Sequence, residues 1–103
     1  MTDPRYATGP HFTRRSATDA VLTQLPGWDL WECNEPVFFH TYDQTVTLHV
    51  NRGAASLSFS DGSEVELQPG DVLTILKGIS ADWTIPAGIQ NSYQSHSDGQ
   101  ETP

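Results

Sequence analysis

The stretch Gly53-Ala54-Ala55-Ser56-Leu57-Ser58-Phe59-Ser60-Asp61-Gly62-Ser63-Glu64-Val65-Glu66-Leu67-Gln68-Pro69-Gly70-Asp71-Val72 decides the fold. Leu57 and Phe59 alternate with serines, and Val65 and Leu67 alternate with Glu64 and Glu66. A period of two gives each segment one apolar face, the pattern of a half-buried strand. Between them, Asp61-Gly62 supplies residues that tolerate positive φ, as a tight hairpin requires. Pro69-Gly70-Asp71 is a second turn signal, and Val72-Leu73-Thr74-Ile75-Leu76 runs on from it as another strand.

The same rhythm extends both ways. Upstream, Trp28 to Glu32 and Val37 to Tyr42 are apolar and aromatic, and Val46, Leu48 and Val50 alternate with Thr47 and His49. Downstream, Lys77-Gly78 breaks the chain, Trp83 and Ile85 alternate with Asp82 and Thr84, Pro86-Ala87-Gly88 turns, and Ile89 to Tyr93 forms a last strand. Short strands punctuated by turn residues, with no long helical pattern, predict an all-β sandwich or barrel. Thr18 to Leu25 suits a turn or two of helix, capped by Thr18 or Asp19 and ended by Pro26-Gly27. Residues 1–17 read as a flexible arm, 18–95 as the folded domain and 96–103 as a polar tail.

At 103 residues, with 36% hydrophobic content, the chain suits one domain with one modest core. Its 13 acidic and 5 basic residues give a net charge of -8. Such a chain repels phosphate backbones and anionic membrane surfaces, so neither nucleic acid nor membrane is an expected partner. Cys33 is the single cysteine, which excludes an intrachain disulfide. No N-terminal apolar run has the form of a secretory signal, and a cytoplasmic protein is the expectation.

The order Trp31, Phe38-Phe39, Tyr42-Asp43, Gly53, Asp61-Gly62, Gly70-Asp71, Lys77-Gly78, Trp83 and Tyr93 resembles the cupin superfamily. It is similar in particular to small single-domain cupins related to the ethanolamine-utilisation Q protein and to ureidoglycine aminohydrolases. The resemblance covers Trp28 to Tyr93. It implies a double-stranded β-helix, a jelly-roll barrel, here with a short N-terminal helix and flexible tails, and it implies a homodimer.

Metal-dependent cupins take ligands from a His-x-His pair, a glutamate and a later histidine. Alternate strand residues share a face, so His-x-His sets two imidazoles on one side of a barrel. Aligned on Gly53 and Gly70, those positions fall on His40, Tyr42, Val46 and Ala81. A neutral phenol is a poor ligand, and Val and Ala offer no donor. Neither a metal nor another cofactor is therefore expected. His11 and His96 fall in the arm and tail, and His49 has the opposite parity to Val46 and Leu48.

The resemblance leaves His40 and Tyr42 facing the barrel mouth as candidate catalytic residues. His40 suits proton shuttling and Tyr42 a hydrogen bond to a substrate oxygen; a buried His-Tyr pair without function is the alternative. Trp83, with the small Ala81 making room beside it, Phe38, Phe39 and Tyr93 are candidate apolar walls for a small-molecule ligand, with core packing as the alternative. Because Phe38 and Phe39 alternate, one must leave the core, and an exposed phenylalanine suits a dimer face. Lys77 is a candidate at the rim, or a solvated lysine. Asp43 reads as a turn former, Cys33 lacks a basic neighbour in sequence, and Glu64 with Glu66 reads as a solvated face.

Three functions fit these residues. One is a metal-independent enzyme acting on a small organic molecule, an isomerase, cyclase, epimerase or lyase using acid/base chemistry. The second is a ligand-binding or regulatory module without turnover. The third is a dimeric structural or interaction protein with a closed barrel.

Overall fold

The structure, a computed structural model, describes residues 6–96. Ten strands and one short helix follow one another: β1 (Ala7–Thr8), β2 (Phe12–Ser16), α1 (Asp19–Gln24), β3 (Asp29–Cys33), β4 (Val37–Thr41), β5 (Thr45–Gly53), β6 (Ala55–Phe59), β7 (Glu64–Leu67), β8 (Asp71–Ile75), β9 (Ser80–Thr84) and β10 (Ile89–His96). They form two antiparallel sheets. One has the order β1-β2-β8-β5-β10-β3, the other β4-β9-β6-β7. This is the two-sheet jelly roll expected from the sequence.

The alternation determines which side chains meet. Along β6 the burial runs inward at Ala55, Leu57 and Phe59, and along β7 at Val65 and Leu67, with serines and glutamates outside. Leu57 pairs with Val65 on one side and Trp83 on the other. Leu73, Ile75, Val50 and Ile85, each 0–1% exposed, complete the centre. The Asp61-Gly62 hairpin closes as expected. Gly62 has φ +93, Gly62 N–H donates to the Phe59 carbonyl, and Asp61 Oδ1 accepts from Ser63 N at 3.0 Å. Hydrogen bonds from the Ser63 hydroxyl and backbone hold the Asp61 carboxyl below its ordinary pKa.

The two glycine motifs have distinct physical causes. Gly53 has φ +87, and a Cβ there would run into the Gly88 carbonyl oxygen and lie 2.8 Å from Ile89 Cα. Only hydrogen fits where β5 closes on β10. Asp71, by contrast, is a turn fastener: its buried carboxylate accepts from Gln68 N at 2.9 Å.

The N-terminal segment differs from the expected arm. Phe12–Ser16 pairs with β8 from Phe12↔Ile75 to Ser16↔Asp71. Phe12, 5% exposed, stacks on Phe59 with ring centroids 5.0 Å apart. One buried aromatic and a backbone ladder thus hold a strand whose own sequence, Phe-Thr-Arg-Arg-Ser, is mostly polar. The helix is capped as expected, Thr18 Oγ1 accepting from Val21 N at 3.3 Å, and a 3-10 turn over Leu25–Gly27 ends it. At the other end β10 runs to His96, which pairs with Thr45. Residues 1–5 of the expected arm and 97–103 of the expected tail lie outside the described residues.

Candidate functional site

A cavity of about 220 Å³ lies between the two sheets, at the end where β4 and β9 face β3, β5 and β10. Its floor is buried: Tyr42, Leu48, Trp83 and Asn91 are 7%, 3%, 2% and 1% exposed. Trp31, Phe38, Val46 and Tyr93 form half-buried walls, and His40, Asp43, Gln44 and Ser95 stand exposed at the mouth.

Strand parity puts these side chains there. Phe38 and His40 share one face of β4, and Tyr42 continues it just past the strand end. Its backbone still follows the ladder, Tyr42 N donating to the Ile79 carbonyl and Gly78 N to the Tyr42 carbonyl. Facing them, Val46 and Leu48 come from β5, and Asn91, Tyr93 and Ser95 from β10. A bulge sets the β10 register. Gln90 pairs with Arg52 but Asn91 with Val50, so Asn51 is the extra residue in β5. Its side-chain amide bridges Gln90 Oε1 at 3.3 Å and Ser92 Oγ at 3.0 Å.

Five rings form a closed circuit. Trp83 meets Trp31 edge-on with centroids 5.3 Å apart, and Trp31 meets Phe38 at 5.3 Å. Phe38 stacks on His40 at 6.0 Å, and His40 meets Tyr42 edge-on at 4.6 Å. The Trp83 indole Nε1–H closes the circuit by donating to the Tyr42 phenol oxygen at 3.0 Å. Burial pushes the Tyr42 phenol up to about 12, with the hydrogen bond from Trp83 pulling the other way. Tyr42 is therefore a neutral hydroxyl at physiological pH. Among the described residues it donates to no protein acceptor, so its proton is available to a ligand.

Of the candidate residues, His40, Tyr42, Trp83, Phe38 and Tyr93 come together on this cavity. Phe39 does not. It is 60% exposed on the opposite face of β4, because the register Phe38↔Trp83 gives Phe38 the inward parity. Lys77 is also outside the lining; it sits in the exposed turn after β8, its backbone N–H 3.3 Å from Thr45 Oγ1. Ala81 makes no room in the cavity either. It pairs with His40 and Phe59 and is packed into the core at 1% exposure. His49 lies on the other face of β5 from Leu48, as expected, with Nδ1 2.8 Å from Asn51 Oδ1. Leu48 faces the cavity with Val46, as its parity implies, whereas Gln44, Asn91 and Ser95 line it without having stood out in the sequence. The available signal was that Asn91 shares the inward parity of Ile89 and Tyr93.

The metal positions of the fold family can be tested on these donors. His40, Tyr42 and Val46 line the cavity and Ala81 does not. One imidazole, one phenol held neutral by burial, and two aliphatic side chains do not make a divalent-metal site. Among the described residues no group of three His, Cys, Asp or Glu side chains converges.

Two facing antiparallel sheets with a cavity at one end make a jelly-roll barrel. Residues 25–93 match the EutQ-like cupin domain, and the chain belongs to that family. No curated protein sequence matches it significantly. Solved structures share its fold. A DUF861 family protein from Thermotoga maritima is similar at 22% identity and TM-score 0.77, over 82% of this chain and 99% of that one. The EutQ protein of Clostridium difficile is similar at 17% identity and TM-score 0.59, over 89% of this chain and 56% of that one. The cupin domain of Schizosaccharomyces pombe Cnp3 is similar at 9% identity and TM-score 0.59, over 93% and 63%. Among the described residues no helix is long and apolar enough to cross a membrane.

Proposed function

We propose that the protein binds a small organic molecule in the cavity between its sheets. One observation carries this reading: Tyr42, buried and neutral, has its oxygen fixed by Trp83 and its proton unspent within an aromatic-walled cavity. A largely apolar pocket with a few convergent polar groups is the usual form of a small-molecule site. The volume fits a molecule of about one ring with substituents, since an apolar cavity of about 150 Å³ takes benzene.

A second reading is metal-independent acid/base catalysis, favoured by His40. Its imidazole stands at the mouth beside Tyr42, and no protein group among the described residues hydrogen-bonds it. It is free to take a proton from a bound molecule while Tyr42 donates a hydrogen bond to a developing oxyanion. The expected homodimer belongs to this proposal through the outer face of β4, where Val37 and Phe39 are 66% and 60% exposed.

Thermal-shift screening of ring-sized metabolites, followed by mass analysis of each hit after incubation, tests both readings. A stabilising compound recovered unchanged supports binding, and one recovered altered supports turnover. Full turnover by His40→Ala on such a compound would remove the acid/base role. No stabilising compound in a broad screen would count against the binding site itself.

A further inference from the structure

Asn91 is anomalous. It is 1% exposed, lines the cavity floor, and among the described residues its amide oxygen has no hydrogen-bond partner. A buried amide oxygen left unsatisfied costs about 1–3 kcal/mol, so native folds rarely keep one without a use. Its cross-strand neighbours on the inner face are Trp31 and Val50; Val50 has no side-chain donor, and the Trp31 indole N–H does not reach its oxygen. The polar network nearby belongs to the other face of the sheet, where Asn51 joins His49, Gln90 and Ser92. A leucine or valine at position 91 would continue the apolar packing without that cost.

Resting on the small-molecule reading above, we propose that Asn91 is the specificity-determining contact of the cavity. Its ligand is a flat, neutral, ring-sized molecule that presents an N–H donor beside an acceptor, such as a lactam or a related heterocycle. The shape follows from the walls. Trp31, Phe38 and Tyr93 offer ring faces and edges, and the volume of about 220 Å³ admits one substituted ring. The hydrogen-bond pattern follows from the carboxamide, which carries one acceptor and one donor group side by side. Rotation about its terminal torsion is broad and turns either group toward a ligand.

Neutrality follows from charge. Among the described residues no lysine or arginine lines the cavity, Asp43 stands at its mouth, and the chain carries -8, so a carboxylate or phosphate meets no fixed positive charge there. An ammonium group at the floor fares no better, because Tyr42 is neutral there and Asp43 lies out at the mouth.

Four one-ring probes test this on the intact protein by calorimetric titration: 2-pyridone, N-methyl-2-pyridone, benzoate and benzylammonium. The expected result is saturable binding of 2-pyridone, with N-methyl-2-pyridone weaker by about tenfold or more, the loss of one hydrogen bond to a buried group. Benzoate and benzylammonium are expected to bind more weakly still. Asn91→Leu is expected to weaken 2-pyridone by a similar factor while melting no lower than wild type, because it removes the orphaned oxygen. Equal binding of the two pyridones, or tighter binding of either ion, overturns the inference and leaves the small-molecule reading standing. Binding of none of the four overturns the ligand class. An Asn91→Leu protein that melts lower yet binds 2-pyridone normally would make Asn91 a structural residue. The two-pyridone comparison needs only the wild-type chain, so it decides the matter even if the variant does not fold.

Discussion

The Trp83 indole donates to the Tyr42 phenol oxygen at 3.0 Å, joining β9 to the segment just past β4 at the buried end of the cavity. This bond satisfies an N–H that is otherwise enclosed by core, since Trp83 is 2% exposed. It also fixes a neutral hydroxyl that a ligand at the floor can use.

Tyr42→Phe keeps the ring and removes the acceptor. The buried indole N–H then has no partner, so unfolding stability should fall by about 1–3 kcal/mol. For a domain of this size that lowers Tm by roughly 5–15 °C. Calorimetry of the two proteins at pH 7 measures it; an unchanged Tm would mean the bond contributes nothing.

The same tyrosine gives a pH signature. Burial holds its phenol at about 12 against an ordinary 10.0, so the unfolded chain releases this proton first as pH rises. The associated stability is complete below pH 10 and is lost as pH climbs through 12, about 2–3 kcal/mol in all. Tyr42→Phe lacks this component. Urea unfolding at pH 8 and pH 11 should therefore show the gap between wild type and variant narrowing at the higher pH. A constant gap would contradict the buried, neutral phenol.

Phe38 and Phe39 are adjacent in sequence and opposite in role. Phe38→Ala opens the wall beside Trp31 and should abolish ligand-induced thermal shifts and lower Tm. Phe39→Ala, on the exposed face, should leave those shifts within error. Side-by-side thermal-shift curves decide it, and equal losses would mean that Phe39 also reaches the ligand.

Gly53→Ala should destabilise the fold by about 3 kcal/mol or more. It combines a left-handed backbone with a Cβ aimed at the Gly88 carbonyl. Chemical denaturation measures the change. A near-neutral effect would require β5 and β10 to separate freely at their closing corner.

Most of the sheet framework is legible in the sequence because each strand from β3 to β10 carries a turn signal or an alternating face of its own. The parts that are not legible depend on distant chain. β2 has one apolar anchor, and pairing with distant chain, chiefly its ladder with β8, turns Arg14-Arg15 from arm into strand. Alternation says that Phe38 and Phe39 diverge, but the pairing Phe38↔Trp83 decides which faces in. The loss of donors at Val46 and Ala81 is visible from spacing alone. That Ala81 is filled by core, whereas Val46 borders a cavity, depends on how the two sheets meet. Asn91 shares the parity of Tyr93 in the sequence, yet its missing partner is apparent only when every neighbour is in place.

A small molecule bound in the cavity between the sheets would lie against Trp31 and Trp83. The three tryptophans make it directly measurable, because Trp28 lies outside the cavity lining. A ¹H–¹⁵N spectrum of the protein titrated with one-ring compounds should show the indole signals of Trp31 and Trp83 moving saturably while that of Trp28 stays still. Indole signals that all stay fixed across the panel, or a Trp28 signal that moves as far as the other two, would contradict it.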